Sequence, residues 1–286
     1  MATRPEPESF TIAGGSGQAL RGESVGEGRE LLLCHGLSAT RKYVVHGSLY
    51  LPRHGFRLTT YDARGHGESD PAPDGYGYRG LIADLDRVAA RIRRPGSGRI
   101  VLGGHSMGCH TAAAWSLENP DRVEALILAG PAWSGREESG KELARWDDRA
   151  DALERGGPDG FAEEMARGSQ PAGVRDRIYR LARDRAALHR NRSAVVRALR
   201  EVPRSRPFGS LEELAEITVP VLVAGTRDEI DPAHPLATAE AWAETIPGAR
   251  LVVEERGDPP LTWQGGRLSR EIAEFLGRGQ PGGGAR

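Results

Sequence analysis

RIVLGGHSMGCHTAAAW, residues 99–115, changes character in its middle. Ile100, Val101 and Leu102 form the short apolar run of a buried strand, whereas Met107 onward is alanine-rich and helical in habit. Between them lies Gly104-His105-Ser106-Met107-Gly108, a G-x-S-x-G match with a strand running in and a helix running out. A serine on such a sharp turn has a strained backbone and crowded neighbours, so the positions two before and two after must lack bulk, as Gly104 and Gly108 do. The helix start aims free N–H groups and the positive end of the helix dipole at the serine, which favours negative charge there. Ser106 is the candidate nucleophile.

The rest of the chain repeats the alternation. FTIA, ELLLC, RLTTYD, RIVLGG, EALILAG, PVLVAG and RLVVEE are short apolar runs separated by helical segments such as Tyr78–Ile92, Met107–Leu117, Pro235–Ile246 and Arg267–Leu276. Short runs rich in Val, Ile and Leu between helices indicate an α/β fold with a largely parallel sheet covered on both faces. From Trp133 to Arg206 the pattern is charged and helical, with breaks at Gly156-Gly157-Pro158 and Pro171 and no strand candidate. Lying between EALILAG and PVLVAG, it is expected over the strand ends, where open α/β sheets bind ligands. The expected organisation is a core over residues 1–132, a helical cap over 133–206, core again over 207–276, and a disordered glycine-rich tail over 277–286.

Composition narrows the partners. The 286 residues are 38% hydrophobic and 28% charged with a net charge of −1, which suits a globular protein and gives no electrostatic reason to expect nucleic acid or anionic membrane. No apolar run approaches the roughly 18 residues of a membrane helix, and the first residues lack the pattern of a secretory signal. A small-molecule partner and a cytoplasmic location are expected, with the oligomeric state open. Two cysteines, Cys34 and Cys109, are too few for a disulfide framework and read as small core residues. His105 and His110 lie five apart, off a common helix face, and no H-E-x-x-H or phosphate loop occurs, so neither metal nor cofactor is expected.

His35-Gly36-Leu37 after ELLLC, DARGHGES from Asp62 to Ser69, GHSMG at Gly104 and GTRD ending at Asp228, with the strand order that links them, resemble the α/β-hydrolase superfamily. The resemblance implies an eight-stranded, mostly parallel sheet with helices on both faces and a cap insertion. It implies an oxyanion hole from the backbone N–H groups of Leu37 and Met107, with His35 and Gly36 beside the substrate. It gives Asp62, Arg64 and Gly67 structural roles, and it makes Asp228 the acid after the seventh strand, with Asp231 as a competitor.

The chain departs from that pattern at one decisive place. The superfamily's histidine should follow RLVVEE, and Asp258 stands there. Three substitutes for the base are open: His234 in DPAHP, His46 in the loop after the oxyanion segment, and Asp258 itself. An ordinary aspartate titrates near 3.9, about three units below a good base at neutral pH. If Asp258 and Asp228 lie close together, they cannot both ionise easily, and the pair can share one proton. The leading expectation is a serine hydrolase acting on an ester, lactone or related acyl bond. A non-hydrolytic lyase, isomerase or cyclase on the same fold, or a ligand-binding protein without catalysis, are the alternatives.

Overall fold

The computed structural model describes residues 5–93, 98–168, 172–227, 233–255 and 265–278. Its eight strands are β1 (Glu8–Ala13), β2 (Ala19–Val25), β3 (Arg29–Cys34), β4 (Phe56–Tyr61), β5 (Ile100–His105), β6 (Val123–Ala129), β7 (Val221–Thr226) and β8 (Arg250–Glu254). They form one sheet in the order β1-β2-β4-β3-β5-β6-β7-β8. The β1–β2 and β2–β4 pairs are antiparallel and the remainder parallel. The helices are α1 (Tyr50–Arg53), α2 (Tyr78–Ile92), α3 (Met107–Glu118), α4 (Gly140–Met165), α5 (Ala172–Ala186), α6 (Arg192–Glu201), α7 (Leu236–Thr245) and α8 (Gly265–Arg278). Helix α8 runs two residues into the segment expected as a tail, and the rest of that segment lies outside the described residues.

Strand periodicity of two builds two cores from single strands. In β3, Leu32 and Cys34 face one side, packed with Leu85, Val88, Trp115 and Trp242 of α2, α3 and α7. Leu31 and Leu33 face the other, against Leu51 of α1 and Leu268, Ile272 and Leu276 of α8. A sheet buried on both faces explains why the central strands are continuous apolar runs. Strand β2 is not such a run. Its buried positions are Leu20, Gly22 and Ser24, so only one inward residue is strongly apolar.

Between β6 and β7 the described chain contains helices and no strand. The break expected at Gly157 is a single residue with φ 60° and ψ −150°, across which α4 bends before resuming at Pro158. Only glycine takes that conformation readily, and proline is tolerated where a helix restarts. Phe161, Leu153, Val195, Val196 and Leu199 give these helices a core of their own. Ala194, Ala198 and Val202 then pack with Met107 and Tyr78, seating the helices on the sheet's end.

The loop after β4 is tied down by charge. Arg64 is 1% exposed and holds Asp84 of α2 through Nε at 2.7 Å and a terminal nitrogen at 2.9 Å. Asp84 also accepts from the Gly15 amide and the Gln18 side chain. Asp62 is fully buried, accepts from the backbone N–H groups of Arg41 and Glu68, and pairs with the Arg41 guanidinium. Arg64 also meets the half-exposed Asp74 at 2.9 Å, so Asp84→Ala would remove its buried partner and leave only this outer one, and it is expected to lower the unfolding free energy by about 3 kcal/mol. Urea denaturation reads this directly; a loss of about 1 kcal/mol or less would place the pair with exposed ones.

Candidate active site

Ser106 sits between β5 and α3 with φ 53° and ψ −118°, one of three non-glycine residues with positive φ among the described residues. Such a backbone persists only where its surroundings over-determine it. Here the Ser106 N–H donates to the Ala129 carbonyl at 3.0 Å and its carbonyl accepts from His110 at 3.0 Å. The flanking glycines leave no alternative packing. A Cβ on Gly104 would meet Gly108 C at 2.5 Å and Cys34 O at 2.6 Å, and one on Gly108 would overlap Cys34 O. Gly36 lets the next loop close in, since its own Cβ would lie 3.3 Å from that of Ser106.

Leu37 and Met107 both line the cavity that contains Ser106. Their backbone N–H groups take no hydrogen-bond acceptor among the described residues; Met107 is the first residue of α3, where the helix itself cannot supply one. Two unclaimed amides beside a serine hydroxyl can stabilise an oxyanion.

The neighbouring histidines are held neutral by backbone groups. His35 is 2% exposed; its Nε2 accepts from the Ala63 N–H at 2.9 Å, so its Nδ1 carries the proton and donates to Gly36 O at 2.8 Å. His35 therefore braces the Gly36-Leu37 loop from behind, with both ring nitrogens taken by backbone groups. His66 bridges the Ser38 N–H and the Arg64 carbonyl. His189, between α5 and α6, accepts from the Gly67 N–H at 2.9 Å and donates to Ser38 O at 3.1 Å, which ties the helical insertion to both loops. Burial pushes all three imidazoles down, His35 and His189 to about 3, with His66 adding repulsion to both.

His110, one turn after Ser106, hydrogen-bonds Tyr78 Oη through Nδ1 at 2.7 Å, and its Nε2 accepts from the Ala132 and Trp133 amides at 2.9 and 3.2 Å. Burial, with His234 second, pushes it down to about 3. His234 stands at the strand ends with its ring 4.9 Å from that of His105. Neither ring is among the described lining of the Ser106 cavity. His46 lines a separate cavity with Tyr43 and Leu188. Asp228, Asp231 and Asp258 lie outside the described residues.

The cavity is about 260 Å³. Besides Ser106, Leu37 and Met107, it is bounded by Tyr78, Trp133 and Trp146, with Arg136, Glu138 and Arg206 toward the mouth. Arg136 is paired with Glu142 at 2.7 Å and Arg206 with Glu137 at 2.5 Å, so the mouth is nearly neutral. Glu138 is half-buried and burial pushes its carboxyl up, with Glu142 adding to the effect. Residues such as Tyr78 and Glu138 had no motif to mark them; Tyr78 reads in sequence only as a helix start. Cys34 and Cys109 are buried free thiols pushed up by burial, Cys34 to about 12. Among the described residues no three or more His, Cys, Asp or Glu side chains are arranged to hold a metal, and no helix is long and apolar enough to cross a membrane.

A serine on a strand-turn-helix at the carboxyl end of a mostly parallel sheet, in one cavity with two amides that take no acceptor among the described residues, fits the arrangement of an α/β-hydrolase. The family model for the alpha/beta hydrolase fold matches residues 30–264, and the chain belongs to that family. A protein of Agrobacterium fabrum described as a carbamate hydrolase, RutD, is 28% identical over 239 residues, covering 83% of this chain and 88% of its own. A thermophilic esterase of Thermogutta terrifontis superposes with a TM-score of 0.73 at 26% identity, covering 95% of this chain and 98% of its own. A Bacillus subtilis protein described as a 2-succinyl-6-hydroxy-2,4-cyclohexadiene-1-carboxylate synthase is 25% identical, covering 94% of this chain and 97% of its own.

The three bridging imidazoles make stability depend on pH with a definite sign. Their native pKa values lie below the ordinary 6.5, so the unfolded chain binds protons that the native chain refuses. Their contribution is complete above about pH 7 and is lost as pH falls below about 6.5, for His35 and His189 down to about 3, at up to about 1.4 kcal/mol per pH unit for each imidazole. Urea midpoints between pH 7.5 and 4.5 should fall accordingly. His189→Gln should flatten that slope by about one proton's worth; an unchanged slope would show that His189 titrates alike in both states.

Proposed function

We propose that the protein is a small-molecule serine hydrolase acting on an ester, lactone or related acyl bond. The observation that carries this reading is Ser106 on its strained turn, in one cavity with two unclaimed amides. In the proposed reaction Ser106 Oγ attacks the carbonyl carbon, and the carbonyl oxygen, now anionic, is received by the Leu37 and Met107 N–H groups. Collapse expels the alcohol and leaves an acyl-serine, which water then hydrolyses. Residues 133–206 act as the cap, with Trp133 and Trp146 supplying apolar walls. The similarity to an esterase and to a described carbamate hydrolase supports an acyl-type bond without fixing the substrate.

The proton from Ser106 is assigned to Asp258, coupled to Asp228. His46 belongs to another cavity and His234 packs against His105, so neither is preferred over the residue at the superfamily's base position. Two close carboxylates sharing one proton raise one pKa toward neutrality, which gives the pair capacity both to take and to return a proton.

A second reading is a non-hydrolytic catalyst, favoured by the synthase relative that aligns along nearly the whole chain. There the oxyanion hole would hold an enolate and no acyl-serine would form, so the absent histidine matters less.

A fluorophosphonate probe with peptide mapping is expected to label Ser106 and to fail on Ser106→Ala. Asp258→Asn should slow hydrolysis of p-nitrophenyl acetate by about 10²-fold or more, the usual scale of general-base catalysis. Asp258→His should restore the ordinary imidazole arrangement and accelerate it. An intact fold with no labelling would overturn serine catalysis, and an unaffected Asp258→Asn would remove the carboxylate from the base role alone.

A further inference from the structure

Tyr78 is buried at the start of α2, lines the Ser106 cavity, and has its hydroxyl 2.7 Å from His110 Nδ1. The direction of that hydrogen bond follows from the other side of the ring. His110 Nε2 faces two backbone N–H groups, those of Ala132 and Trp133, and can only accept. A neutral imidazole with Nε2 as acceptor carries its proton on Nδ1, and that proton points at Tyr78 Oη. The phenol oxygen is thus an acceptor toward His110, and its own proton must go elsewhere. No described residue accepts it. Charging the imidazole instead would set a proton against two amide hydrogens in a buried site, and burial already drives His110 down to about 3.

We propose that Tyr78 is a specificity-determining hydrogen-bond donor of the Ser106 cavity. Its proton is held outward for an acceptor on the ligand, selecting acyl compounds that carry a further oxygen or nitrogen besides the two oxygens of the ester group. Carbonates, carbamates and oxygen-substituted acyl chains meet that condition, and plain alkanoyl esters and unsubstituted lactones do not. Tyr78 supplies no proton in this role. Burial holds the phenol well above its ordinary range, and His110 cannot be refilled through an Nε2 already occupied by amides. The donor therefore stays neutral and in place, and its preference for acceptors is a consequence of geometry. A site built around a fixed donor also penalises a ligand that leaves it dry and unpaired.

The assignment rests on the Ser106 reading for its turnover assay but not for its binding assay. Three near-isosteric p-nitrophenyl esters test it: the butyrate, the ethyl carbonate and the methoxyacetate, in which one methylene is replaced by oxygen at successive positions. The quantity read is kcat/KM for each oxygen ester divided by that for the butyrate, which compares wild type with Tyr78→Phe and cancels intrinsic reactivity. Tyr78→Phe is expected to lower at least one ratio by about five- to ten-fold, the scale of one hydrogen bond. If fluorophosphonate fails to label Ser106, serine catalysis falls, and the same ratios are read as calorimetric affinities in Ser106→Ala with and without Tyr78→Phe. Both ratios unchanged in a folded Tyr78→Phe protein would overturn the proposal. Independently, ¹⁵N NMR of labelled imidazoles should find His110 neutral with its proton on Nδ1 from pH 5.5 to 8. A proton on Nε2, or a charged ring in that range, would free Tyr78 to donate to His110 and would equally overturn it.

Discussion

The left-handed backbone of Ser106 is the constraint on which the rest of the site depends. A φ of 53° is unfavourable for a serine, and it is held by an N–H bound to the end of β6, a carbonyl bound into α3, and three glycines that let β3, β5 and α3 close around it. Turning the residue this way puts Ser106 in one cavity with the Met107 amide at the helix start, which takes no acceptor among the described residues. The sheet's apolar interior thus serves mainly as a rigid anvil: Leu32, Leu102, Leu126 and Val223 fix the strand ends to which the turn is pinned.

Neutral imidazoles carry much of the remaining geometry. His35, His66 and His189 each join backbone groups from separate segments, and His110 joins the elbow helix to the chain after β6 and to Tyr78. Imidazole suits this because it places a donor and an acceptor on opposite sides of a rigid ring. Charging any of them would replace an acceptor by a second donor facing an N–H group. The same burial that depresses their pKa values disqualifies them as proton carriers, so four of the chain's eight histidines are structural. That leaves the proton step of the proposed reaction to other groups.

The helices between β6 and β7 contribute the cavity's walls while remaining a packing unit in their own right. Phe161, Leu153 and Leu199 are satisfied internally, and the contacts to the sheet end run through small residues, Ala194 and Ala198, against Met107. Charged residues at the mouth are paired with one another, as Arg136 with Glu142 and Arg204 with Asp147. Such exposed pairs add little stability and leave no strong net field to attract one sign of ligand.

Most of the fold was legible because burial on both faces writes itself into sequence: β3, β5, β6 and β7 are unbroken apolar runs, and Tyr78–Ile92 repeats its apolar residues at helical steps. Strand β2 escaped because Leu20, Gly22 and Ser24 on its inward side give no hydrophobic alternation; antiparallel pairing with β1 and β4 makes it a strand. The elbow was legible because its glycines are demanded by sterics within a few residues. Which histidines are charged, shared or sealed was not, since that depends on backbone groups 22 to 151 positions away in the chain. The sequence alone determined where the candidate nucleophile Ser106 and its glycines lie, and that an aspartate follows RLVVEE at 258. Only the tertiary structure decided that His35 faces inward, that the His110 Nδ1–H donates to Tyr78 Oη, and that Tyr78 shares a cavity with Ser106, because hydrogen-bond direction is fixed by what surrounds a ring on every side.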